Sequence, residues 1–271
     1  MTAFDTLLDW VGRRLARHIR RETPGEEPFV PSDPEALRRV LRPGDVILIS
    51  GSSKLSTAIK YLTQSTWSHA ALYVGNVLDP PAGGGEAHTL IEVLLGEGCI
   101  SSPLSKYDRF HTRICRPIGL TDADREGVIR FMVSRLGTQY DTRNVFDLAR
   151  YLVPIPPVPT RWRRRMIALG SGQPTRTICS SLIAEAFGRV HYPILPRIER
   201  IAPRGGARSG ISSLSRHEIL HIRHYSLYAP ADFDLSPYFR IIKPTIEEGF
   251  NYKGLTWAPE PSGAQREKRR A

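Results

Sequence analysis

The sequence contains no continuous apolar stretch of about 18 residues, the length that marks a membrane-spanning helix. Its first residues also lack the apolar core of a signal peptide, because charged side chains interrupt the apolar positions at Asp5, Asp9, Arg13 and Arg14. We therefore expect a cytoplasmic protein for which any membrane contact is peripheral.

Cysteine is scarce, with 3 residues in a chain of 271. Cys99, Cys115 and Cys179 are odd in number, and their spacing is not that of a metal site. This usage suits a reducing compartment and argues against a disulfide framework. We expect no bound metal and no cofactor.

Acidic residues are outnumbered, with 27 Asp and Glu against 38 Lys and Arg and a formal net charge of +11. A positive charge of this size attracts anionic partners such as phospholipid head groups, nucleic acid or acidic glycans. The charge alone does not indicate which of these partners is bound. We expect no specific nucleic-acid partner. The share of hydrophobic residues, 41%, is that of an ordinary globular protein.

The chain divides into three segments. Residues 1–33 combine a basic amphipathic helix, predicted from apolar side chains every three or four positions over 3–21, with a proline-rich linker. Residues 34–250 are the expected globular domain, with a basic, proline-rich insertion at 153–176. Residues 251–271 form a polar basic tail.

Two basic features are suited to an anionic membrane surface. One is the predicted helix at 3–21, although docking on the core of the protein itself is the commoner fate of such a helix. The other is a cluster within the insertion, formed by Arg161, Trp162, Arg163, Arg164 and Arg165. Membrane binding and docking of the helix both remain open.

Four segments of the domain have clear secondary-structure patterns. The apolar run at 46–49 predicts a strand that is buried on both faces. Apolar residues at helical spacing predict helices over 34–41, 54–64 and 121–136, and capping residues bound the first and the last of these.

Residues 67–75, with the sequence W-S-H-A-A-L-Y-V-G, have the alternation of a strand. The alternation places His69, Ala71 and Tyr73 on one face. Because alanines flank His69, a second element could pack close enough for a nucleophile to share a ring nitrogen of this histidine. A half-buried histidine bonded to a backbone carbonyl is the alternative.

Residues 89–95 alternate in the same way, and Glu92 faces away from Ile91 and Val93 in this otherwise apolar strand. A carboxylate that is buried without a partner is costly in free energy. Glu92 therefore needs either buried hydrogen-bond donors or an edge position in which it faces water. The pattern leaves both possibilities open.

Residues 177–187, T-I-C-S-S-L-I-A-E-A-F, predict a helix with Thr177 at its N-cap and Cys179 in its first turn. Free backbone N–H groups and the positive end of a helix stabilise a thiolate. Cys179 is therefore suited to be a nucleophile, and a buried structural cysteine is the alternative.

A competing motif is H-E-x-x-H, formed by His217, Glu218 and His221. On a helix, two histidines at this spacing bind zinc and the glutamate activates water, as in zinc proteases. The motif fixes only three residues and lies beside a glycine-rich loop, so a chance match in a histidine-rich helix or strand is the alternative.

Several of these segments resemble the permuted papain-like cysteine hydrolases, in particular the YiiX/YebB-like branch of the NlpC-type superfamily. The matching motifs are R-P-G-D-V-I-L-I at 42–49, the histidine strand, L-I-E-V at 90–93, G-T-Q-Y-D at 137–141, C-S-S-L-I at 179–183 and Y-A-P-A-D-F-D-L-S-P-Y-F at 228–239. In unpermuted members the cysteine helix precedes the histidine strand. The order is reversed here, and catalysis depends on geometry and not on chain order.

The resemblance implies an α+β, circularly permuted papain-like (NlpC-type) fold, in which a central antiparallel sheet packs against the helix that bears Cys179. It implies that Cys179 is the nucleophile, His69 the base and Glu92 the group that orients His69. By similarity, Tyr140 lines the oxyanion region. The implied reaction is hydrolysis or acyl transfer at an amide or ester through a thioester.

The substrate is expected to be a lipid-linked or acylated amide, or a cell-wall-type peptide. A zinc metalloprotease is the alternative enzyme. A basic membrane-binding module that has the fold but not the chemistry is the alternative outside enzymes.

Overall fold

The computed structural model describes residues 33–81, 84–139, 178–200, 218–221, 225, 228–254 and 256. The strands are β1 (Val46–Ser50), β2 (His69–Tyr73), β3 (His88–Leu94), β4 (Gly98–Pro103), β5 (His111–Pro117), β6 (Arg197–Arg200), β7 (Glu218–His221) and β8 (Phe239–Ile242). The helices are α1 (Pro34–Val40), α2 (Lys54–Thr63), α3 (Asp122–Ser134), α4 (Ile178–Arg189), α5 (Ala231–Leu235) and α6 (Pro244–Glu247), with 3-10 turns at Leu104–Tyr107 and Tyr252–Gly254. Over these ranges, no helix is both long and apolar enough to cross a membrane.

Six strands form one antiparallel sheet in the order β4-β3-β2-β1-β5-β8. β1 lies between β2 and β5, and its first four residues, 46–49, are all buried. The apolar run at these positions therefore meets protein on both faces, which confirms the strand that the sequence predicts. β6 and β7 pair with each other in a separate two-stranded sheet.

Helices cover both faces of the large sheet. On one face, Leu72 of β2 belongs to the same buried cluster as Phe187 of α4. On the other, Ala71 belongs to a cluster with Leu37 of α1. Each fully buried leucine or phenylalanine contributes roughly 1.5–3 kcal/mol to folding. The α+β class is confirmed, and α4, which bears Cys179, packs against β2 and β3.

Helices α1, α2 and α3 begin at side-chain caps that satisfy free backbone N–H groups. The carboxylate of Asp33 accepts from the N–H of Glu35 at 3.0 Å, and the hydroxyl of Thr121 accepts from the N–H of Asp124 at 3.2 Å. The helices predicted over 34–41, 54–64 and 121–136 are therefore confirmed, and each ends slightly earlier than its apolar pattern does.

Some predictions concern parts of the chain that the structure does not describe. The helix at 3–21 and the insertion at 153–176 both lie outside the described residues. The division into segments at 1–33, 34–250 and 251–271 stays a prediction.

Candidate active site

Glu92 lies at the centre of a buried polar cluster. Its side chain is fully buried, and it accepts hydrogen bonds from His69 Nε2 at 2.6 Å, Lys106 Nζ at 2.6 Å, and the hydroxyls of Ser102 and Tyr107. The alternative of an edge position facing water is wrong, because β3 lies between β2 and β4. Four donors replace the water that burial removes, which explains how a carboxylate occupies an apolar strand.

The strand register brings His69 and Glu92 together. Ala71 and Glu92 are directly opposite each other in the β2–β3 ladder. His69 stands two residues before Ala71, so it is on the same face and is a diagonal neighbour of Glu92. Since alanine carries only a methyl group, the long side chains reach past it. The predicted alternation of 67–75 is therefore what places the histidine on the face of the carboxylate.

Cys179 meets this pair from the first turn of α4. Its sulfur is hydrogen-bonded to the ring of His69, and the backbone N–H groups of Ala70 and Ser180 also donate to it. Because Nε2 of His69 is bonded to Glu92, the other ring nitrogen, Nδ1, is the one left for the sulfur. The three residues thus form a chain from thiol to imidazole to carboxylate, and Cys179 is only 5% exposed.

Cys179 and His69 shift each other's pKa in opposite directions. Burial raises the pKa of the Cys179 thiol, but the positive charge of His69, its hydrogen bond and the two backbone donors outweigh burial and lower that pKa. Burial lowers the pKa of His69, but the negative charge of Cys179 and the hydrogen bonds with Cys179 and Glu92 raise it to about 9. The two shifts act in the same sense, and both favour the thiolate and imidazolium form of the pair over the neutral form.

Glu92 remains ionised beside them. Burial raises the pKa of this carboxyl, but the hydrogen bond and charge of His69, followed by those of Lys106, hold the pKa well below its usual range. Two cations thus flank one buried anion. The arrangement keeps a full negative charge on the far side of the imidazole ring, where it stabilises the protonated form.

The other two cysteines are in contrasting environments. Burial raises the pKa of Cys99 to about 11, and burial likewise raises the pKa of Cys115. Both thiols are free and buried. Cys179 is therefore the cysteine whose surroundings favour a thiolate. The sequence predicts the same preference, because Cys179 lies in the first turn of a helix.

The segment after Tyr228 is fixed beside α4 and the start of β2. The hydroxyl of Ser180 donates to the carbonyl of Tyr228 at 2.6 Å. Asp234 of α5 accepts from Trp67 Nε1 at 2.9 Å and from Arg113 Nη1 at 2.8 and 2.7 Å, and the guanidinium of Arg113 stacks on the Trp67 ring. These bonds attach the motif at 228–239 to the residues that flank Cys179 and His69.

Sequence reasoning missed the donors that surround Glu92. Ser102, Lys106 and Tyr107 all come from residues 101–107, S-S-P-L-S-K-Y, which contain no recognisable motif. The sequence feature that could have indicated these donors was Glu92 itself. A carboxylate buried in an apolar strand requires hydrogen-bond donors, and residues 101–107 are rich in them. Asp234 had no comparable signal, because its partners are more than a hundred residues away.

The remaining predicted site residues either lie outside the described residues or belong to the separate strand β7. Tyr140 lies outside the described residues, as do the arginines and Trp162 of 161–165. Glu218 and His221 belong to β7. In the backbone register of the β6–β7 ladder, Glu218 is opposite Arg200 and His221 is opposite Arg197. The zinc motif requires a helical turn between its histidines, and the described part of the motif has strand backbone instead. His217 is outside the described residues.

The strands that carry His69 and Glu92 precede the helix that carries Cys179, which is the order of a permuted papain-like fold. Residues 40–151 match the model of the family described as permuted papain-like amidase enzyme, YaeF/YiiX, C92 family. The match confirms the resemblance stated from the sequence. It covers less than half of the chain and includes His69 and Glu92 but not Cys179.

Among solved structures, the crystal structure of metalloprotein yiiX from Escherichia coli O157:H7 is similar to this chain, with a TM-score of 0.43 and 15% identity. The similarity covers 74% of this chain and 96% of that chain. No curated protein matches the chain.

Proposed function

We propose that this protein is a cysteine amidase in which Cys179 is the nucleophile, His69 the general acid and base, and Glu92 the residue that orients His69. The observation that carries the proposal is the continuous contact from the Cys179 sulfur through the His69 ring to Glu92. A nucleophile, a base in contact with it and a third group that holds the base are the parts that covalent catalysis needs.

The reaction begins from the thiolate and imidazolium of the resting pair. The sulfur attacks the carbonyl carbon of the amide, and a C–S bond forms. The C–N bond then breaks, and the imidazolium of His69 gives its proton to the leaving amine. A thioester remains on Cys179, and His69 is now neutral and able to remove a proton from water.

In the second half, water attacks the thioester carbon as His69 takes its proton. The C–S bond breaks, the carboxylic acid leaves, and Cys179 is again paired with protonated His69. An acceptor other than water gives acyl transfer instead. Negative charge on the attacked oxygen is stabilised by the backbone N–H of Cys179 at the start of α4 and, by similarity to related enzymes, by Tyr140.

For the substrate, we propose an acylated or lipid-linked amide or ester presented at an anionic membrane, with a cell-wall-type peptide as the alternative. The support is the excess of basic residues in the predicted helix at 3–21 and in the sequence cluster at 161–165. Each basic side chain near an anionic bilayer contributes about 1 kcal/mol to binding.

Alkylation with iodoacetamide tests the nucleophile directly. We expect Cys179 of the native protein to react at least about tenfold faster than Cys99 or Cys115, because thiolate is the reactive species and burial suppresses it at the other two. The measurement is peptide mass spectrometry over time, and a Cys179→Ser variant and urea-unfolded protein are the controls. Native protein in which Cys179 reacts no faster than Cys99 contradicts the proposal.

The labelling is to be repeated with a chelator and followed by a screen of acylated amides, lipid esters and muropeptides. We expect chelation to change neither labelling nor turnover. Turnover that stops on chelation favours the zinc protease, and a reactive Cys179 without any turnover favours the binding module. Turnover of muropeptides alone overturns the lipid preference.

Turnover should also depend on pH in a way that labelling does not. The pKa of His69 is about 9, so the imidazolium that protonates the leaving amine is lost above that pH. We expect kcat/KM to fall about tenfold for each further pH unit, whereas alkylation, which needs only the thiolate, does not fall. Parallel loss of both rates above pH 9 would instead indicate unfolding, which circular dichroism detects.

A further inference from the structure

A cavity lies at the other end of the large sheet from His69. Its volume is about 440 Å³. It is lined by Arg42, Pro43, Asp45, Arg116, Pro117, Ile118, Gly119, Leu120, Arg125 and Arg240, and is called the basic cavity below. Asp45 precedes β1, whereas His69 is paired with Ile49 near the end of β1, so roughly 13 Å of strand separates the two sites.

The charges that line the basic cavity are strongly unequal. Four arginines line it, one from the turn before β1 and one each from β5, α3 and β8, and the lining contains one carboxylate, Asp45. That carboxylate is already satisfied, because it accepts from Arg116 Nε at 2.8 Å, Arg116 Nη2 at 2.7 Å and the backbone N–H of Arg42 at 2.9 Å. Asp45 therefore fixes Arg116 in the wall, and this single carboxylate offsets only part of the positive charge of the four arginines.

Arg42 and Arg240 make no ion pair with any residue that the structure describes. Arg240 also stands directly opposite Arg116 in the β5–β8 ladder. Like charges directly opposite each other on neighbouring strands are destabilising. Asp45 already offsets much of the charge of Arg116. An anion bound beside Arg240 would remove the remaining repulsion and would accept hydrogen bonds from the exposed guanidinium groups of Arg42 and Arg240, which are stronger to a charged acceptor.

The fourth arginine is accommodated by a glycine. Gly44 has a φ of +92°, and a Cβ at this position would lie 3.1 Å from Cγ of Arg125. The missing side chain gives the aliphatic part of Arg125 room to cross the loop. Arg125 also pairs with Asp122 within α3, but the Asp122 side chain is 90% exposed, so water screens that pair.

We propose that the basic cavity binds a phosphate group, carried by a soluble phosphate monoester or by a lipid head group. A phosphate dianion offers more acceptor oxygens and more charge than a carboxylate, and planar guanidinium groups bind it in a bidentate manner. Ile118, which is 51% exposed, lines the same cavity and gives the ligand an apolar neighbour. The site is separate from Cys179 and does not depend on the proposed hydrolysis.

Calorimetric titration of the full chain with inorganic phosphate tests the site. We expect saturable binding that weakens with salt and becomes about tenfold weaker in Arg240→Gln, because one charge-assisted contact is lost. Arg130→Gln is the matched control, since it removes the same charge from an exposed position on α3 that does not line the cavity. Should Arg240→Gln fail to fold, Arg42→Gln takes its place.

Sedimentation with vesicles distinguishes the two sources of phosphate. Phosphatidylcholine vesicles that contain phosphatidic acid should bind the wild type more than Arg240→Gln if the ligand is a lipid. Phosphate binding that depends on Arg240, without such a difference on vesicles, identifies a soluble monoester. The proposal is overturned if neither probe binds saturably, or if Arg130→Gln weakens binding as much as Arg240→Gln does.

Discussion

Replacing Cys179 with alanine should lower kcat/KM for amide hydrolysis by about 10⁴-fold or more and leave the fold intact. The loss is this large because the thioester cannot form and no other side chain takes over the attack. The fold should persist, because the change removes one sulfur atom from a buried site, at a cost of about 1 kcal/mol. Steady-state kinetics on the substrate found in the screen gives the rate, and urea unfolding gives the stability.

Cys99→Ala is the matched control for this experiment. Cys99 is also a buried thiol of the same hydrophobic cluster, so its removal leaves a cavity of the same kind. We expect Cys99→Ala to lose stability like Cys179→Ala but to retain turnover. A Cys179→Ala protein that is folded and still active would exclude Cys179 as the nucleophile.

The sequence predicts the elements of the site well, because the signals for them are local. Alternation along β2 places His69 on one face, and the start of α4 places Cys179 in its first turn. A buried Glu92 within an apolar strand predicts hydrogen-bond donors. None of these patterns says that the three residues meet, and that expectation came from the resemblance to permuted papain-like hydrolases.

The contacts that complete the site depend on how elements pack. Lys106 reaches Glu92 because a 3-10 turn after β4 folds back over β3, and an isolated lysine in a loop carries no sign of this. Arg113 and Asp234 form an ion pair although 121 residues separate them in the sequence. The position of Glu218 and His221 in a strand likewise reflects pairing with β6, which overrides the helical spacing of the motif.

Replacing Glu92 should affect both turnover and stability. This carboxylate stabilises the positive charge on His69, and it also accepts hydrogen bonds from buried donors. Glu92→Gln keeps the shape and loses the charge. We expect turnover to fall roughly 100-fold, far less than in Cys179→Ala, since the imidazolium loses the anion that orients and stabilises it. The pKa of His69 should fall with it, so the alkaline limb of the pH profile moves to lower pH. A purely structural role would not shift that limb.

Glu92→Ala should instead act mainly on stability. It leaves the Lys106 ammonium and the hydroxyls of Ser102 and Tyr107 without their acceptor. Each buried hydroxyl left unsatisfied costs about 1–3 kcal/mol, and the loss at Lys106 is reduced by solvent because that side chain is 33% exposed. Adding Lys106→Met to Glu92→Ala should recover part of this loss, because the unpaired cation is gone. Urea unfolding measures both, with the exposed Glu126→Gln on α3 as the control.

The comparison between Glu92→Gln and Cys179→Ala distinguishes a catalytic role from a structural role of Cys179, His69 and Glu92. If the cluster is catalytic, both variants fold, their rates differ by about 100-fold or more, and only Glu92→Gln shifts the pH profile. If both variants fail to fold to the same extent, the carboxylate and the thiol hold the protein together and do not perform chemistry. Since Glu92 is fully buried and Cys179 meets it only through His69, the intermediate variant His69→Gln should then fail in the same way.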